Sequence, residues 1–263
     1  PPYPAQSGLF GQPTNINNVE TLANLSAIIN DGAEAFAALG TEKSKGTKVF
    51  ALAGDTVNTG LVEVPMGITL REILDEIGGG IANGHGFKAA QIGGPSGGCV
   101  PEHFLDTPID YDSLEEVGAI MGSGGLVVVD DTTCIVDMAR FFLDFCQRES
   151  CGKCTPGRIG VRRMFEMVDG FTRGLGREGD IEELEELAAV VKVASLCALG
   201  KTAANPALSA LRHFREEFNA HVLEHRCPAG QCAALVTYTV NPEACRSCDK
   251  CAQQCPAKCI GGL

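Results

Sequence analysis

The sequence has no apolar run of the roughly 20 residues that a membrane-spanning helix needs, and it has no long run of lysine and arginine. Its formal net charge is −12, from 33 acidic and 21 basic residues. This balance argues against a nucleic-acid partner or an anionic membrane surface. Near Pro1, no charged segment precedes an apolar run, so no secretory signal is expected. We therefore expect a cytoplasmic protein with no nucleic-acid partner and no direct membrane insertion.

Cysteine, in contrast, is abundant. The chain has 13 cysteines, and 7 of them follow His225. In a small secreted protein they would predict disulfides. This chain, however, has 263 residues, and in several places only two residues separate one cysteine from the next. Such spacing is typical of reduced, metal-binding thiols in the cytosol.

Hydrophobic patterning predicts an α+β fold. The segments KVFALAG and GLVEVP indicate two strands, TLREILDEI indicates a helix opened by Thr69, and FKAAQIGG indicates another strand. This order predicts a small β-grasp-like unit. Its glycine-rich stretch GGPSGGC is more typical of a tight turn than of a phosphate cradle.

A buried-type strand, GGLVVVDD, comes next, and helical periodicity dominates residues 130–225. The predicted helices are TTCIVDMARFFLDFCQRES, GRIGVRRMFEMVDG, DIEELEELAAVVKVA and NPALSALRHFREEFNAHVLEH. In the last one, Asn205 is the expected N-cap and Pro206 lies in the first turn. These segments predict a four-helix bundle.

The tail contains the strongest motif, CRSCDKCAQQCP. Its cysteines are Cys245, Cys248, Cys251 and Cys255. Three thiolates spaced by two residues can surround one 4Fe–4S cubane, while the fourth points toward the neighbouring cluster of a two-cluster ferredoxin fold. A zinc site built from the same thiols is the alternative. A complete two-cluster unit needs a second cysteine run, so we expect the sequence to be truncated. Cys259 is extra to the motif, either as a substitute ligand or as a small buried residue.

Upstream, HVLEHRCPAGQC brings together His221, Cys227 and Cys232. One histidine and two cysteines supply three tetrahedral ligands, and Cys134 at the start of its helix is the candidate fourth. These residues predict a structural zinc site. The alternative is a set of buried thiols beside a capping histidine.

A further pair, Cys151 and Cys154, lies in a glycine- and proline-containing turn between two predicted helices, and Cys197 lies at the end of another. Loops at the ends of helices leave backbone amides available for cluster sulfides. A third cysteine at the same spacing would complete an iron–sulfur run, but that position is Gly157.

Several motifs resemble the NADH-binding flavoprotein subunit of complex I: GQPTNINNVETLANL, MGSGGLVVVDD, ARFFLDFCQRESCGKCTPGR and SLCALGKTAANPALSALRHF. With its ferredoxin-like tail, the chain most resembles the beta subunit of NAD(P)-linked, bifurcating iron hydrogenases and formate dehydrogenases, truncated at both ends. The similarity runs through nearly the whole chain.

The resemblance implies one 4Fe–4S cluster held by Cys151, Cys154 and Cys197, with Gly157 in the position of the remaining ligand. Because glycine cannot ligate iron, either three thiolates and a water or other non-cysteine ligand hold the cluster, or the cluster is lost. Cys146 is a nearby thiol that could take the position of the remaining ligand.

The resemblance also implies contacts from Asn17, Asn18 and Thr21 to FMN. Judged from the residues alone, asparagines that precede a helix are equally expected as N-caps.

Four segments follow from the resemblance. Residues 1–44 would be the C-terminal end of a flavin/NADH-binding domain, and residues 45–105 a β-grasp domain of the soluble-ligand-binding type. Residues 106–225 would be the helical bundle with its 4Fe–4S site. Residues 226–263 would contain the zinc-like Cys/His turn and a partial ferredoxin-like segment.

The implied function is the electron-transfer portion of an NADH:acceptor oxidoreductase subunit. Electrons would pass from FMN, reduced by NAD(H), to clusters of partners: a thioredoxin-like 2Fe–2S subunit and an iron–sulfur catalytic subunit of hydrogenase or formate dehydrogenase. Alone, this chain is not expected to oxidise NADH. One alternative is a zinc-binding structural or docking module without redox activity, and another is a reductase that binds cobalamin or a similar small ligand on the β-grasp unit.

Overall fold

The computed structural model describes residues 2–257 and residue 260. Cys259, the extra cysteine of the tail, lies outside these described residues. Within them, no helix combines the length and the apolar character that crossing a membrane requires. The expected combination of a small sheet with helices is confirmed.

The strands are β1 Thr47–Gly54, β2 Gly60–Pro65, β3 Phe87–Ile92, β4 Gly98–Pro101 and β5 Gly125–Asp130. They form one mixed sheet in the order β2-β1-β5-β3-β4. The β1–β5 pair is parallel, and the other neighbouring pairs are antiparallel. Since β5 begins at Gly125, the sheet extends past residue 105, where the sequence suggested that the β-grasp domain ends.

The connection from β2 to β3 carries the helix that covers the sheet, α3 Leu70–Glu72, which continues as a π-helical turn at Ile73–Ile77. Thr69 caps it as the sequence predicts, because its hydroxyl accepts the N–H of Glu72 while the Glu72 carboxylate accepts the N–H of Thr69. Leu70, Ile73 and Leu74 are buried in a core that also contains strand residues such as Phe50.

The glycine-rich stretch between β3 and β4 is a tight turn, in which the N–H of Gly97 donates to Gly94 O at 2.9 Å. A Cβ at Gly97 would lie 1.8 Å from Ile92 O, so only glycine allows the backbone to approach this closely. The short strand β4 was not among the strands predicted from the sequence.

The other helices are α1 Val19–Asp31, α2 Ala33–Ala37, α4 Tyr111–Glu116, α5 Ile135–Glu149, α6 Val161–Thr172, α7 Asp180–Ala194, α8 Ala198–Thr202, α9 Asn205–Val222 and α10 Lys250–Gln254. Helices α5, α6, α7 and α9 pack on one another and share a core in which Leu143, Met164, Leu184 and Phe218 are buried. A π-helical turn, Pro156–Gly160, leads into α6.

The start of α9 differs from the expectation. Ala204, not Asn205, is the N-cap, and Asn205 is the first helical residue. The Asn205 side chain instead donates to Ser96 O at 3.2 Å, so it joins α9 to the turn between β3 and β4.

Two ion pairs join the parts of the chain. Glu20 of α1 pairs with Lys48 and accepts the N–H of Val49 at 2.8 Å, which fixes α1 against the edge of β1. Lys88 of β3 pairs with Glu217 of α9 at 2.7 Å, with both side chains mostly buried. The sheet and the helices are therefore held by charge as well as by apolar packing.

Candidate metal centres

Four side chains from three separate segments meet in the interior: Cys134, His221, Cys227 and Cys232. Their ligand atoms all lie within 4.8 Å of one another, and all four residues are buried. Cys134 is the N-cap of α5, His221 lies in the last turn of α9, and the other two flank the turn that follows. This is the set that the sequence suggested for zinc.

The distances within this set suit one tetrahedral ion. Cys134 Sγ lies 3.7 Å from Cys232 Sγ, and these two sulfurs lie 3.3 and 3.4 Å from His221 Nε2. With Zn–S bonds of about 2.3 Å and Zn–N bonds of about 2.0 Å, tetrahedral geometry separates two sulfurs by about 3.8 Å and a sulfur from a nitrogen by about 3.5 Å. These three ligand atoms are therefore spaced as a tetrahedral zinc ion requires, and Cys227 Sγ lies within 4.8 Å of each of them.

The second ring nitrogen of His221 supports this assignment. His221 Nδ1 lies 2.7 Å from Glu217 O. A proton on Nδ1 can only be donated to that carbonyl, which leaves the lone pair of Nε2 directed at the thiols, as in metal-binding histidines. The neighbouring Cys232 thiol and burial together raise the pKa of Cys134, so a thiolate here needs a cation beside it.

A second group of cysteines lies where α5, the turn into α6 and α8 meet. Cys151, Cys154 and Cys197 line one cavity of about 120 Å³, together with Cys146 and Gly157. In the described part of the chain they do not form a set as compact as the Cys/His site. A cubane requires wider spacing than a single ion, since each thiolate binds a different iron.

The polar groups around Cys154 suit a cluster. The backbone N–H groups of Leu196 and Gly157 lower the pKa of Cys154, because both donate toward its sulfur. The hydroxyl of Ser195 also faces Cys154, yet Ser195 Oγ is buried and has no hydrogen-bond partner within normal distance among the described residues. A buried donor without an acceptor is costly, and the sulfur atoms of a cluster would supply one.

The remaining ligand position of the cysteine run is a glycine and offers no thiol. Gly157 is buried in the π-helical turn and faces the cavity, and a Cβ built on it would lie 3.1 Å from Cys154 Sγ. The third side chain of the run would thus project toward the other ligands. The cavity thus contains the three cysteines of the implied ligand set, and the remaining position of the set is a glycine.

The structure does not gather the tail cysteines in the same way. Cys245 and Cys255 are partly exposed, Cys248 and Cys251 are exposed, and they form no compact ligand set in the part of the chain that the structure describes. The N–H of Ser247 donates to Cys245 Sγ at 3.4 Å. This contact is the kind of amide-to-sulfur bond that cluster loops make.

The residues expected near FMN lie at the start of α1. Asn17, Asn18 and Thr21 are all exposed. Asn18 is the N-cap of α1, and its side chain accepts the N–H of Glu20 at 2.8 Å. The structure thus gives Asn18 the capping role that the residues alone allowed, and its role toward FMN stays a prediction.

Sequence reasoning missed two hydroxyl groups near these cysteines, Ser150 at the cavity and Ser195 beside Cys154, because serine spacing carries no signal of its own. It also missed a group on the sheet side, His85, Asp130 and Asp131. The Asp130 carboxylate already accepts the N–H and hydroxyl of Thr132. The other two members are exposed and contact each other at 3.1 Å between His85 Nδ1 and Asp131 Oδ1, so the group is a surface turn motif.

Comparison with known proteins places the cavity in a region described as iron–sulfur binding. Residues 137–221 match the family described as NADH-ubiquinone oxidoreductase-F iron-sulfur binding region. This range contains Cys151, Cys154 and Cys197. The cavity thus lies inside the segment that the family assigns to iron–sulfur binding.

Similar proteins extend the match beyond that segment. The chain is 53% identical over 262 residues to the HndC subunit of NADP-reducing hydrogenase of Solidesulfovibrio fructosivorans, covering 100% of this chain and 54% of the relative. It is 44% identical over 228 residues to the F 2 subunit of NADH-quinone oxidoreductase of Rhizobium meliloti (strain 1021), covering 87% of this chain and 54% of that relative. The chain therefore spans about half the length of these curated relatives.

A solved structure shares the fold. The crystal structure of NAD+-reducing NiFe-hydrogenase in the air-oxidized state superimposes with a TM-score of 0.75 at 33% identity, covering 84% of this chain and 38% of that chain. The resemblance inferred from the sequence is confirmed. The chain carries the iron–sulfur binding region of the NADH-ubiquinone oxidoreductase F family and is homologous to subunits of NAD(P)-linked hydrogenases and of NADH-quinone oxidoreductase.

Proposed function

We propose that this chain is the electron-transfer portion of an NADH:acceptor oxidoreductase subunit, acting between FMN reduced by NADH and iron–sulfur clusters of partner subunits. The observation that carries the proposal is the cavity lined by Cys151, Cys154 and Cys197, inside the matched iron–sulfur region. A 4Fe–4S cluster bound there supplies one-electron transfer, which is needed to divide the two electrons of a hydride.

The chain's own residues set the properties of this site. The three thiolates bind iron, and the N–H groups of Leu196 and Gly157 donate toward Cys154. The sulfur atoms of the cluster give the Ser195 hydroxyl a hydrogen-bond acceptor. Donors to sulfur favour the more negative, reduced state, so these groups raise the reduction potential.

The segments have separate roles in this proposal. Residues 1–44 belong to a flavin/NADH-binding domain, with Asn17, Asn18 and Thr21 toward FMN. The sheet is a β-grasp domain, supported by its parallel β1–β5 pair between antiparallel hairpins. The helices form a bundle with a 4Fe–4S site at one end. This division follows the resemblance. One core lies between α3 and the strands, and the other is shared by the four long helices and strand residues such as Val129.

The tail is proposed to be a partial ferredoxin-like segment. The spacing of Cys245, Cys248, Cys251 and Cys255 supports iron–sulfur ligation at this end. A route from FMN through the bundle site and the tail would lead to an iron–sulfur catalytic subunit, with a thioredoxin-like 2Fe–2S subunit as the other partner. The relatives named as hydrogenase and quinone oxidoreductase subunits support an assembly of this kind, and we expect it in the cytoplasm.

The site at Cys134, His221, Cys227 and Cys232 is proposed to hold structural zinc. Its four buried protein ligands leave no position open for a substrate, which is typical of structural rather than catalytic zinc. A purely structural or docking module without redox activity is not favoured, because the relatives are oxidoreductase subunits.

The test is metal analysis of the full chain after anaerobic purification. We expect iron and acid-labile sulfide in equal amounts, together with about one zinc per chain. Replacing Cys197→Ser should lower iron and sulfide. The matched control is Cys146→Ser, which changes another thiol of the same cavity and should leave them unchanged. A chain that binds zinc but no iron under these conditions would refute electron transfer.

A further inference from the structure

The missing thiol at Gly157 leaves one iron of the proposed cluster without a cysteine ligand. The structure shows which side-chain atoms lie near the position of that missing thiol. The Cβ position built on Gly157 marks where the absent side chain would begin. Apart from its neighbours in the chain and the backbone of its own helix, two atoms of the described residues lie within 4 Å of that position: Cys154 Sγ at 3.1 Å and Ser150 Oγ at 3.5 Å.

Ser150 is held at this corner. Its hydroxyl donates to Gly157 O at 2.6 Å, and its side chain lines the same cavity as the three thiols. This hydrogen bond uses the proton of the hydroxyl and leaves the lone pairs of the oxygen available. Ser150 can therefore coordinate iron without breaking the contact that positions it.

The other donors that line the cavity are less suited. Cys146 Sγ lies farther than 4 Å from the Cβ position on Gly157, and it contacts Pro95 O at 3.9 Å. Burial raises the pKa of Cys146 to about 12. The carboxylate of Glu149 also lies outside the 4 Å shell. Neither group lies beside the position of the absent side chain in the structure.

We propose that Ser150 Oγ is the fourth ligand of the cluster held by Cys151, Cys154 and Cys197. The oxygen binds the iron that a cysteine at position 157 would otherwise bind, and no bond within the protein is broken. An oxygen ligand holds iron more weakly than a thiolate does. When a one-electron oxidant such as ferricyanide takes an electron from the cluster, this iron therefore leaves first, as Fe2+, and [4Fe–4S]2+ becomes [3Fe–4S]+. The proposal depends on the proposed function, since it needs a cluster at this site.

The experiment compares four proteins with identical tails: the unmodified chain, S150A, G157C and the double variant G157C/S150A. Each is purified anaerobically as the full chain, analysed for iron and sulfide, and examined by EPR after mild oxidation. Because the tail is unchanged, differences among the four report on the cavity. We expect S150A to have about one iron fewer per chain than the unmodified protein and a larger 3Fe–4S signal.

In the G157C background a thiolate occupies the corner, so S150A should have no effect on iron or on the 3Fe–4S signal. A serine that only stabilised the turn would instead weaken both backgrounds equally. A further variant, S150C, should bind as much iron as G157C, because a thiol then stands where the hydroxyl was.

Two results separate the possible failures. If S150A equals the unmodified protein while G157C gains iron, a cluster is present but its fourth ligand comes from solvent, and the assignment of Ser150 is wrong. If neither G157C nor the unmodified protein binds more iron and sulfide than a variant with Cys151→Ser does, no cluster binds in the cavity. That second result would overturn the proposed function as well.

Discussion

Removal of one ligand from the site at Cys134, His221, Cys227 and Cys232 should abolish zinc binding and lower the thermal stability of the chain. Cys232→Ser is the preferred change, because serine is nearly isosteric and removes only the sulfur. Cys232 Sγ is in contact with both Cys134 Sγ and His221 Nε2. The variant therefore loses one corner of a set that is otherwise intact.

Zinc stabilises the fold because it binds the converged ligands of the folded chain and not the unfolded chain, in which Cys134 and Cys232 are 98 residues apart in sequence. The gain in the free energy of unfolding is RT ln(1 + [Zn]/Kd), which is about 4.1 kcal/mol at a free zinc concentration 1,000 times Kd. For a chain of this size, 1 kcal/mol corresponds to about 2–4 °C in Tm. We thus expect loss of zinc to lower Tm by about 8–16 °C.

The assay is thermal unfolding with and without a zinc chelator, with zinc measured in the same samples. The unmodified chain should show the full Tm difference, and C232S should show none. Cys99→Ser is the matched control, because Cys99 is fully buried but lies outside the ligand set. It should lose about 1–3 kcal/mol from the buried hydroxyl and keep its zinc-dependent shift. Stoichiometric zinc in C232S, with an undiminished shift, would refute the reasoning.

Three further predictions concern the framework. Lys88→Met should lower the free energy of unfolding by about 2 kcal/mol in denaturant titration, since it leaves Glu217 mostly buried without its cation; an unchanged midpoint would contradict this. Burial raises the pKa of Glu20, but its ion pair and its backbone hydrogen bond hold that pKa below the ordinary value. The resulting stabilisation is present above about pH 4.3 and lost as pH falls through the lowered pKa, so between pH 6 and pH 3 Tm should fall further in the unmodified chain than in E20Q. Gly97→Ala should cost about 2 kcal/mol because its Cβ would meet a backbone carbonyl oxygen, whereas Gly86→Ala, which has room for a Cβ, should be nearly neutral.

The Cys/His site could be predicted from the sequence because ligand chemistry is restrictive. Few side chains bind zinc, and His221, Cys227 and Cys232 are close in sequence. Cys134 was the harder assignment, since it lies 87 residues before His221. It was suggested by its place at the start of a helix, where a cysteine can face the end of a neighbouring helix.

Other features could not be predicted because they depend on tertiary contacts. Asn205 followed by Pro206 has the local signature of an N-cap, yet the side-chain amide of Asn205 donates a hydrogen bond to Ser96 O in another part of the fold. The strand β4 is four residues long and follows a glycine-rich turn, so its alternation is too short to detect. Ser150 becomes relevant only once three helix ends have met around one cavity.

The wide separation of Cys134 from the other residues of the Cys/His site also has a consequence for protein synthesis. Cys134 leaves the ribosome long before Cys232, so for many seconds its thiol has no metal-binding partners. During that time the early helices pack without the metal, through apolar contacts and ion pairs such as that of Arg140 with Asp169. Metal capture would be a late event that secures a nearly finished domain, and a newly made chain arrested before residue 227 should be unusually sensitive to proteases.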